Sequence, residues 1–455
     1  MKKRLNIENP RSEIPPDENL PGLSAMVDGD IIKAALSESF EKAGLSIKSC
    51  KISYIRYKPR TNCIIVYRVK FDGGTTFKLA EIPVYVKLLT GRDYKIAEGK
   101  ARLHRWVNPE GIGTYLLFPE HQAILYCFPN DPVIDGLRVL EHPKKIQRIL
   151  YRHHEEFPED KWRISNKQLR ISIMRYKPER RAVMLFRTKA YSHDHSRKKK
   201  IRVYARIYGD NRGGRIFDLQ NRLYQLSKNE DRLRVPEPIA YLADRRILLM
   251  KELKGEPLLD CIRDGRLEPV KYTAAALAFL HTQHLPDLEQ MAPDSLLEGA
   301  LASHQMISEI APDLSDETGW IHDNLTDMVK NLPKFENGFV HGDFYHGQAI
   351  ISGKEAGIID FDRSYTGDPG ADLGNFIANL RLLHIRETLT HGEKAADIFL
   401  SQYEIVSGKK LDKEIIEFWT AFSLFQLAVN PFREYDKSWR QITGRILKEC
   451  RLILK

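Results

Sequence analysis

Cysteine is scarce in this chain. The five residues Cys50, Cys63, Cys127, Cys261 and Cys450 lie far apart and form no CxxC pair. That argues against a cysteine-based zinc site and fits a reducing compartment, so a cytoplasmic location is expected. No run of about 18 apolar residues occurs, so no helix is expected to span a membrane. The basic start, Met1-Lys2-Lys3-Arg4, is not followed by an apolar h-region. Residues 9–22 are rich in proline and polar groups, so residues 1–27 read as a mobile arm and not as a signal peptide. A GxxxxGK[ST] phosphate loop is missing throughout.

What is present is a long, basic, otherwise ordinary soluble composition. At 455 residues the chain exceeds one ordinary core and predicts two or three domains. Net charge is +10, unevenly spread. Residues 161–210 hold 16 Lys/Arg against 3 Asp/Glu, while residues 286–330 hold 10 Asp/Glu against 1 Lys. One stretch suits polyanions and the other cations, and both also read as solvated faces.

The front half repeats itself. Lys51-Ile-Ser-Tyr-Ile-Arg-Tyr-Lys-Pro59 returns as Arg170-Ile-Ser-Ile-Met-Arg-Tyr-Lys-Pro178, a spacing of 119 that continues without a gap. Val84-Tyr85-Val86-Lys87 matches Val203-Tyr204-Ala205-Arg206. Each copy predicts a strand into a Lys-Pro turn and a second strand (63–71 or 182–190). A third strand (82–89 or 201–208), a helix and a final strand pair follow. This is a tandem pair of small antiparallel sheets, at about 28–158 and 159–257. From about Leu258 the pattern turns helical. Segments are expected at 270–284, 296–310, 316–332, 371–389, 392–406, 413–429 and 434–454. The whole predicts an α+β class, a sheet lobe followed by a helical lobe (258–455) with chemistry between them.

The helical run is interrupted by His341-Gly342-Asp343, Gln348 and Ile359-Asp360-Phe361-Asp362, set beside short strands at 338–340, 349–351 and 357–359. The acids therefore fall at strand ends and loops. Their order suits phosphoryl transfer. One carboxylate can take a hydroxyl proton, while an amide oxygen and a second carboxylate can hold a phosphate-neutralising metal.

These motifs, with Gly367-Asp368-Pro369-Gly-Ala-Asp372-Leu373-Gly374, resemble the aminoglycoside phosphotransferase and choline kinase-like family, of protein-kinase-like fold. The helix ending Leu277-Ala278-Phe279-Leu280-His281 is similar too. So is Leu249-Met-Lys-Glu-Leu-Lys-Gly255, which falls where that family has its interlobe hinge. The resemblance covers roughly 169–455. It implies an ATP- and Mg2+-dependent kinase acting on a hydroxyl of a small molecule of aminoglycoside, choline or sugar type. It makes Asp343 the catalytic base and Asp360 a magnesium ligand. Asp372 and His341 would steady the catalytic loop. Glu252, in the hinge-like segment, is placed with the nucleotide.

Two positions depart from the family. Gln348 stands where asparagine is usual and offers the same amide oxygen on a longer arm as metal ligand. Arg206 stands where a lysine normally meets the nucleotide phosphates, whereas the upstream copy keeps Lys87. Arginine keeps the charge in a wider, planar form. Glu98 and Asp218 are the expected helix partners of Lys87 and Arg206. Neither copy has a glycine-rich phosphate loop. Lys177, in the turn Lys177-Pro178-Glu179-Arg180-Arg181, is the expected basic substitute, though an exposed polar hairpin reads equally well.

Smaller signals carry less. His193-Asp194-His195 beside Arg197-Lys198-Lys199-Lys200 reads as a solvated hairpin tip, and His153-His154 as a solvated helical segment. Trp162, Trp320 and Trp439 are assigned to packing. Nucleic acid is not an expected partner, since the aromatics of the basic stretch alternate as in a core. The acidic stretch would favour an amine-bearing acceptor or face water. The first copy, lacking a helical lobe, is expected to serve structure, regulation or homodimerisation. The alternative to an enzyme is a catalytically weak kinase-like protein that binds a nucleotide or partner, the reading that Arg206 and Gln348 favour.

Overall fold

The computed structural model describes residues 14–75, 79–285, 287–331 and 337–455. The beginning of the expected arm, Pro286 and Leu332 lie outside the described residues. The chain forms two compact units. The first runs to Arg215 and adds Ile239–Lys251 and Arg433–Lys437; the second comprises Ile216–Pro238, Glu252–Phe432 and Ser438–Lys455. Antiparallel sheets in the first and helices in the second make the α+β class expected from the sequence. Segment 28–158 falls wholly in the first unit, whereas segment 159–257 is divided, with Ile216–Pro238 and residues 252–257 in the second.

The first sheet holds β1 (Ser46–Lys58), β2 (Asn62–Asp72), β3 (Glu81–Leu89), β4 (Tyr115–Phe118) and β5 (Ala123–Cys127), in the order β1-β2-β3-β5-β4. The second holds β6 (Arg170–Lys177), β7 (Arg181–Ser192), β8 (Lys198–Tyr208), β9 (Pro238–Leu242) and β10 (Ile247–Lys251). Its order is β6-β7-β8-β10-β9, with the short strand Trp162–Ile164 also on β7. The order is the same in both sheets, and so is the register. Lys58 faces Asn62 as Lys177 faces Arg181. Asn62 faces Leu89 as Arg181 faces Tyr208. Lys87 faces Ile124 as Arg206 faces Leu248.

The β1–β2 and β6–β7 turns share a strained residue. Arg60 and Glu179 both have φ of 60°, a left-handed conformation that costs a side-chain-bearing residue about 1–2 kcal/mol. Each is held by an aspartate. Asp17 Oδ2 accepts from the Arg60 N–H (2.7 Å) and the Tyr57 hydroxyl (2.8 Å), while Oδ1 accepts from Asn19 N–H (3.0 Å). Asp131 Oδ2 accepts from the Glu179 N–H (2.8 Å) and the Tyr176 hydroxyl (2.9 Å), while Oδ1 accepts from Val133 (2.9 Å) and Ile134 (3.0 Å). Gly22 and Gly136 lie five residues beyond each aspartate. A Cβ there would come within 2.3 Å of the His121 carbonyl oxygen and 2.2 Å of the Arg245 carbonyl oxygen, in the turns of the two final strand pairs. The likeness therefore starts at Asp17 and Asp131, upstream of the visible sequence match.

That overturns the reading of residues 14–27 as a mobile arm. Leu20, Leu23 and Met26 are buried at helix-like spacing, and the Asp17 bonds tie the segment to the first turn. His154 also departs from expectation. It is buried and meets Phe157 edge-on, with a ring separation of 4.8 Å.

The second unit buries its apolar helix faces in two clusters. Helices occur at Glu268–His281, Pro293–Ile310, Ser315–Asn331, Gly370–Ile385, Gly392–Ser407 and Lys413–Leu427. The helix expected at 434–454 is Trp439–Ile453, starting five residues later, and a short helix, Asn430–Arg433, precedes it. No described helix is long and apolar enough to cross a membrane. Short pairs Gly338–Val340 with Tyr365–Gly367, and Ala349–Ser352 with Glu355–Ile358, carry the acidic motifs.

Candidate active site

The loop after Gly338–Val340 is pinned from below. Asp372, buried at the start of Gly370–Ile385, accepts the His341 N–H through Oδ2 (2.6 Å) and the Gly342 N–H through Oδ1 (2.9 Å). Gly342 has φ of +77°, and a Cβ would lie 2.2 Å from the Arg363 carbonyl oxygen, so only glycine fits. His341 braces the loop sideways. Its Nδ1 accepts the Asp343 N–H (3.3 Å), and its Nε2 lies 2.9 Å from the Ile359 carbonyl oxygen. Those partners assign the proton to Nε2.

Each acid is followed by a buried phenylalanine. Phe344 is fully buried and stacks on Phe376 (5.8 Å) and Phe399 (6.3 Å). Phe361 is buried against His341 (5.1 Å) and Phe339 (6.3 Å). Burying an aromatic ring stabilises by roughly 2–3 kcal/mol, so the backbones of Asp343 and Asp360 are held by their neighbours. Asp343 itself is half-buried, and its carboxylate has no hydrogen bond or ion pair among the described residues.

Gln348 and Asp360 flank one end of the same hairpin. Gln348 precedes Ala349–Ser352, Asp360 follows Glu355–Ile358, and the Ile359 N–H donates to the Gln348 carbonyl oxygen (3.1 Å). Gln348 is buried, and its side-chain amide has no protein partner among the described residues. Asp360 adopts φ 70°, ψ 56°, a left-handed conformation that aspartate tolerates better than most residues. An amide oxygen and a carboxylate are hard donors of the kind magnesium takes alongside waters. No group of three or more His, Cys, Asp or Glu side chains able to hold a metal occurs among the described residues, so the protein offers a sparse donor set.

The structure adds Tyr403, Trp419, Tyr365 and His346, which the sequence did not single out, and gives partners to His281 and Asp368. His281 Nε2 lies 3.1 Å from Asp372 Oδ2, and its Nδ1 lies 2.8 Å from the Tyr403 hydroxyl. Trp419 Nε1 donates to Asp368 (2.7 Å). Burial, with Asp372 and Asp368 nearby, keeps the Tyr365 phenol protonated far above its ordinary range. Burial, aided by the Arg263 charge, lowers the His346 imidazole to about 4.

Glu252 belongs to this second unit, just past the point where the chain leaves the first at Lys251. Arg206 and Lys177 belong to the first unit. Arg206 is buried on β8, and Lys177 ends β6. The expected Lys87–Glu98 pair does not form. Glu98 bonds Arg102 one helical turn on (2.7 Å), and Lys87 bonds Glu179 (2.7 Å). Asp218 is exposed. The acidic stretch is partly neutralised within its own unit, by Arg222 on Asp287, Arg440 on Asp313 and Arg451 on Glu317.

Residues 211–398 match the model of the phosphotransferase enzyme family APH. No curated protein matches the chain in sequence. Among solved structures, aminoglycoside phosphotransferase APH(4)-Ia is 13% identical, with a TM-score of 0.47, covering 68% of this chain and 97% of that one. Choline kinase from Cryptosporidium parvum Iowa II is 13% identical, with a TM-score of 0.46, covering 68% and 94%. The streptomycin–ATP–APH(2")-IIa ternary complex is 15% identical, with a TM-score of 0.41, covering 67% and 95%. At these scores the likenesses bear no further weight, and the chemistry rests on the chain's own residues. The expected resemblance to the aminoglycoside phosphotransferase family is borne out by the family-model match over residues 211–398, which is less than half of the chain.

Proposed function

We propose that the protein transfers the γ-phosphoryl group of ATP to a hydroxyl of a small molecule, of aminoglycoside, choline or sugar type. One observation carries the reading. Asp343 presents a carboxylate without a protein partner among the described residues, on a loop fixed by Asp372, His341 and Phe344. A carboxylate so placed is available to an incoming hydroxyl.

In the reaction the acceptor oxygen bonds to the γ-phosphorus as the bond to the β,γ-bridging oxygen breaks. Asp343 takes the hydroxyl proton and ADP leaves with the bridging electron pair. Gln348 and Asp360 would hold Mg2+, which supplies charge neutralisation to the phosphates when bound. Arg206 and Lys177 would contact phosphate oxygens, and Glu252 would sit with the nucleotide. His341 and Asp372 would position Asp343 and leave proton transfer to it.

The test is titration calorimetry of ATP with and without Mg2+, joined to a mass-shift screen of phosphoryl acceptors. Metal-dependent ATP binding, acceptor-stimulated ADP release and loss of that release in Asp343→Asn are the expected results. A second reading, a nucleotide- or partner-binding protein with little turnover, is favoured by Arg206 and Gln348. It predicts ATP binding that Asp343→Asn leaves unchanged, with no ADP release for any acceptor.

A further inference from the structure

The two sheets of the first unit carry cations at the same two register positions. Arg56 and Lys87 on the first sheet correspond to Arg175 and Arg206 on the second. On the first sheet an anion is already in place. Lys87 Nζ lies 2.7 Å from Glu179 Oε1, and Arg56 lies 3.7 Å from Glu179 Oε2. Arg56 also donates to the Pro178 carbonyl oxygen (3.1 Å). All three side chains are well shielded, with 22%, 13% and 13% of Lys87, Arg56 and Glu179 exposed.

Glu179 is not an arbitrary partner. It is the left-handed apex of the β6–β7 turn, the turn that carries Lys177. Asp131 fixes its backbone N–H, as Asp17 fixes that of Arg60 in the first turn. The two turns differ at the apex side chain, Arg60 in one and Glu179 in the other. The carboxylate at the apex of the second turn thus anchors that turn to Lys87 and Arg56 of the first sheet. Tyr176, two residues before Pro178, adds edge contacts to Tyr85 (6.2 Å) and Phe128 (5.4 Å).

We propose that Glu179 is a positioning residue. Its carboxylate occupies, on the first sheet, the place that corresponds to the phosphate contact on the second, and this lock fixes the Lys177–Arg181 turn for nucleotide binding. The first sheet is then an occupied twin, closed to phosphate by a side chain of the protein itself. The proposal rests on the kinase reading for the role of the turn, but the lock itself does not.

The test uses the full chain with Glu179→Gln, Lys87→Met, the double variant, Lys87→Arg and the exchange Lys87→Glu with Glu179→Lys. Each single loss is expected to weaken Mg-ATP binding and raise KM for ATP about five- to tenfold while kcat changes less than twofold. The double variant should be no worse than either single one, and Lys87→Arg should restore affinity. Singles that bind ATP within twofold of the parent would overturn the proposal. If the parent chain binds no Mg-ATP, the kinase reading fails, and trypsin cleavage after Arg180 and Arg181 decides the lock. Faster cleavage in both single variants, reversed by Lys87→Arg, upholds it, whereas cleavage equal to the parent overturns it. If Lys87→Met does not fold, Glu179→Gln with the same readouts suffices.

Discussion

The Asp372 carboxylate accepts the backbone N–H of His341 at 2.6 Å, across 31 residues of chain. With Gly342 and His281 on its oxygens, this buried acid closes the loop that presents Asp343. Asp372→Ala leaves the buried His341 N–H, the half-buried Gly342 N–H and an imidazole without their acceptor. A loss of roughly 3–5 kcal/mol is expected. Urea denaturation checks this, and a loss below about 1 kcal/mol would show that the loop does not depend on the carboxylate.

Asp343 should behave in the opposite way. Its side chain has no partner among the described residues, so Asp343→Asn removes no protein contact there. Stability should change by less than about 0.5 kcal/mol. Phosphoryl transfer, once an acceptor is found, should fall on the order of 10²–10⁴-fold. Paired denaturation and turnover measurements separate the two effects. A large stability change would mean that Asp343 is a structural acid.

The sheet-helix order and the acidic motifs were legible because strand alternation and short motifs are local. The second half of each hydrogen-bonded frame was not. His281 lies 91 residues from Asp372 and 122 from Tyr403, and no periodicity links such positions. The repeat was legible only where its spacing of 119 holds. Asp17 pairs with Asp131 and Gly22 with Gly136 at a shorter spacing, because the connection ahead of β6 differs in length from that ahead of β1. The Lys87–Glu179 bond was hidden for another reason. Sequence matching compares copies with each other and is silent on how one packs against the next.

His346 gives a pH signature. Burial holds its folded-state pKa near 4, against about 6.5 for an unfolded imidazole. Between those values the unfolded chain takes up a proton that the folded one refuses. The contribution is therefore complete above pH 6.5 and lost as pH falls toward 4, by roughly 3 kcal/mol in all. In His346→Phe that part of the slope should vanish. The difference between parent and variant curves from pH 7.5 to 4.5 isolates it from His104 and His153, which are also lowered by burial. Parallel curves would mean that His346 titrates normally.

The two turn-capping aspartates should differ in weight although their geometry matches. Asp131 is buried and accepts from Val133, Ile134, Glu179 and Tyr176. Burial raises its pKa despite those donors, so the carboxylate is held at a desolvation cost that the hydrogen bonds offset. Asp131→Ala leaves those donors without their acceptor and releases the strained Glu179. A loss of roughly 3–5 kcal/mol is expected. Asp17 is only half-buried, and water can replace it at Arg60 and Asn19, which are exposed. Asp17→Ala should cost about 1–2 kcal/mol. Equal losses in guanidinium denaturation would show that the Glu179 turn gains nothing from its burial.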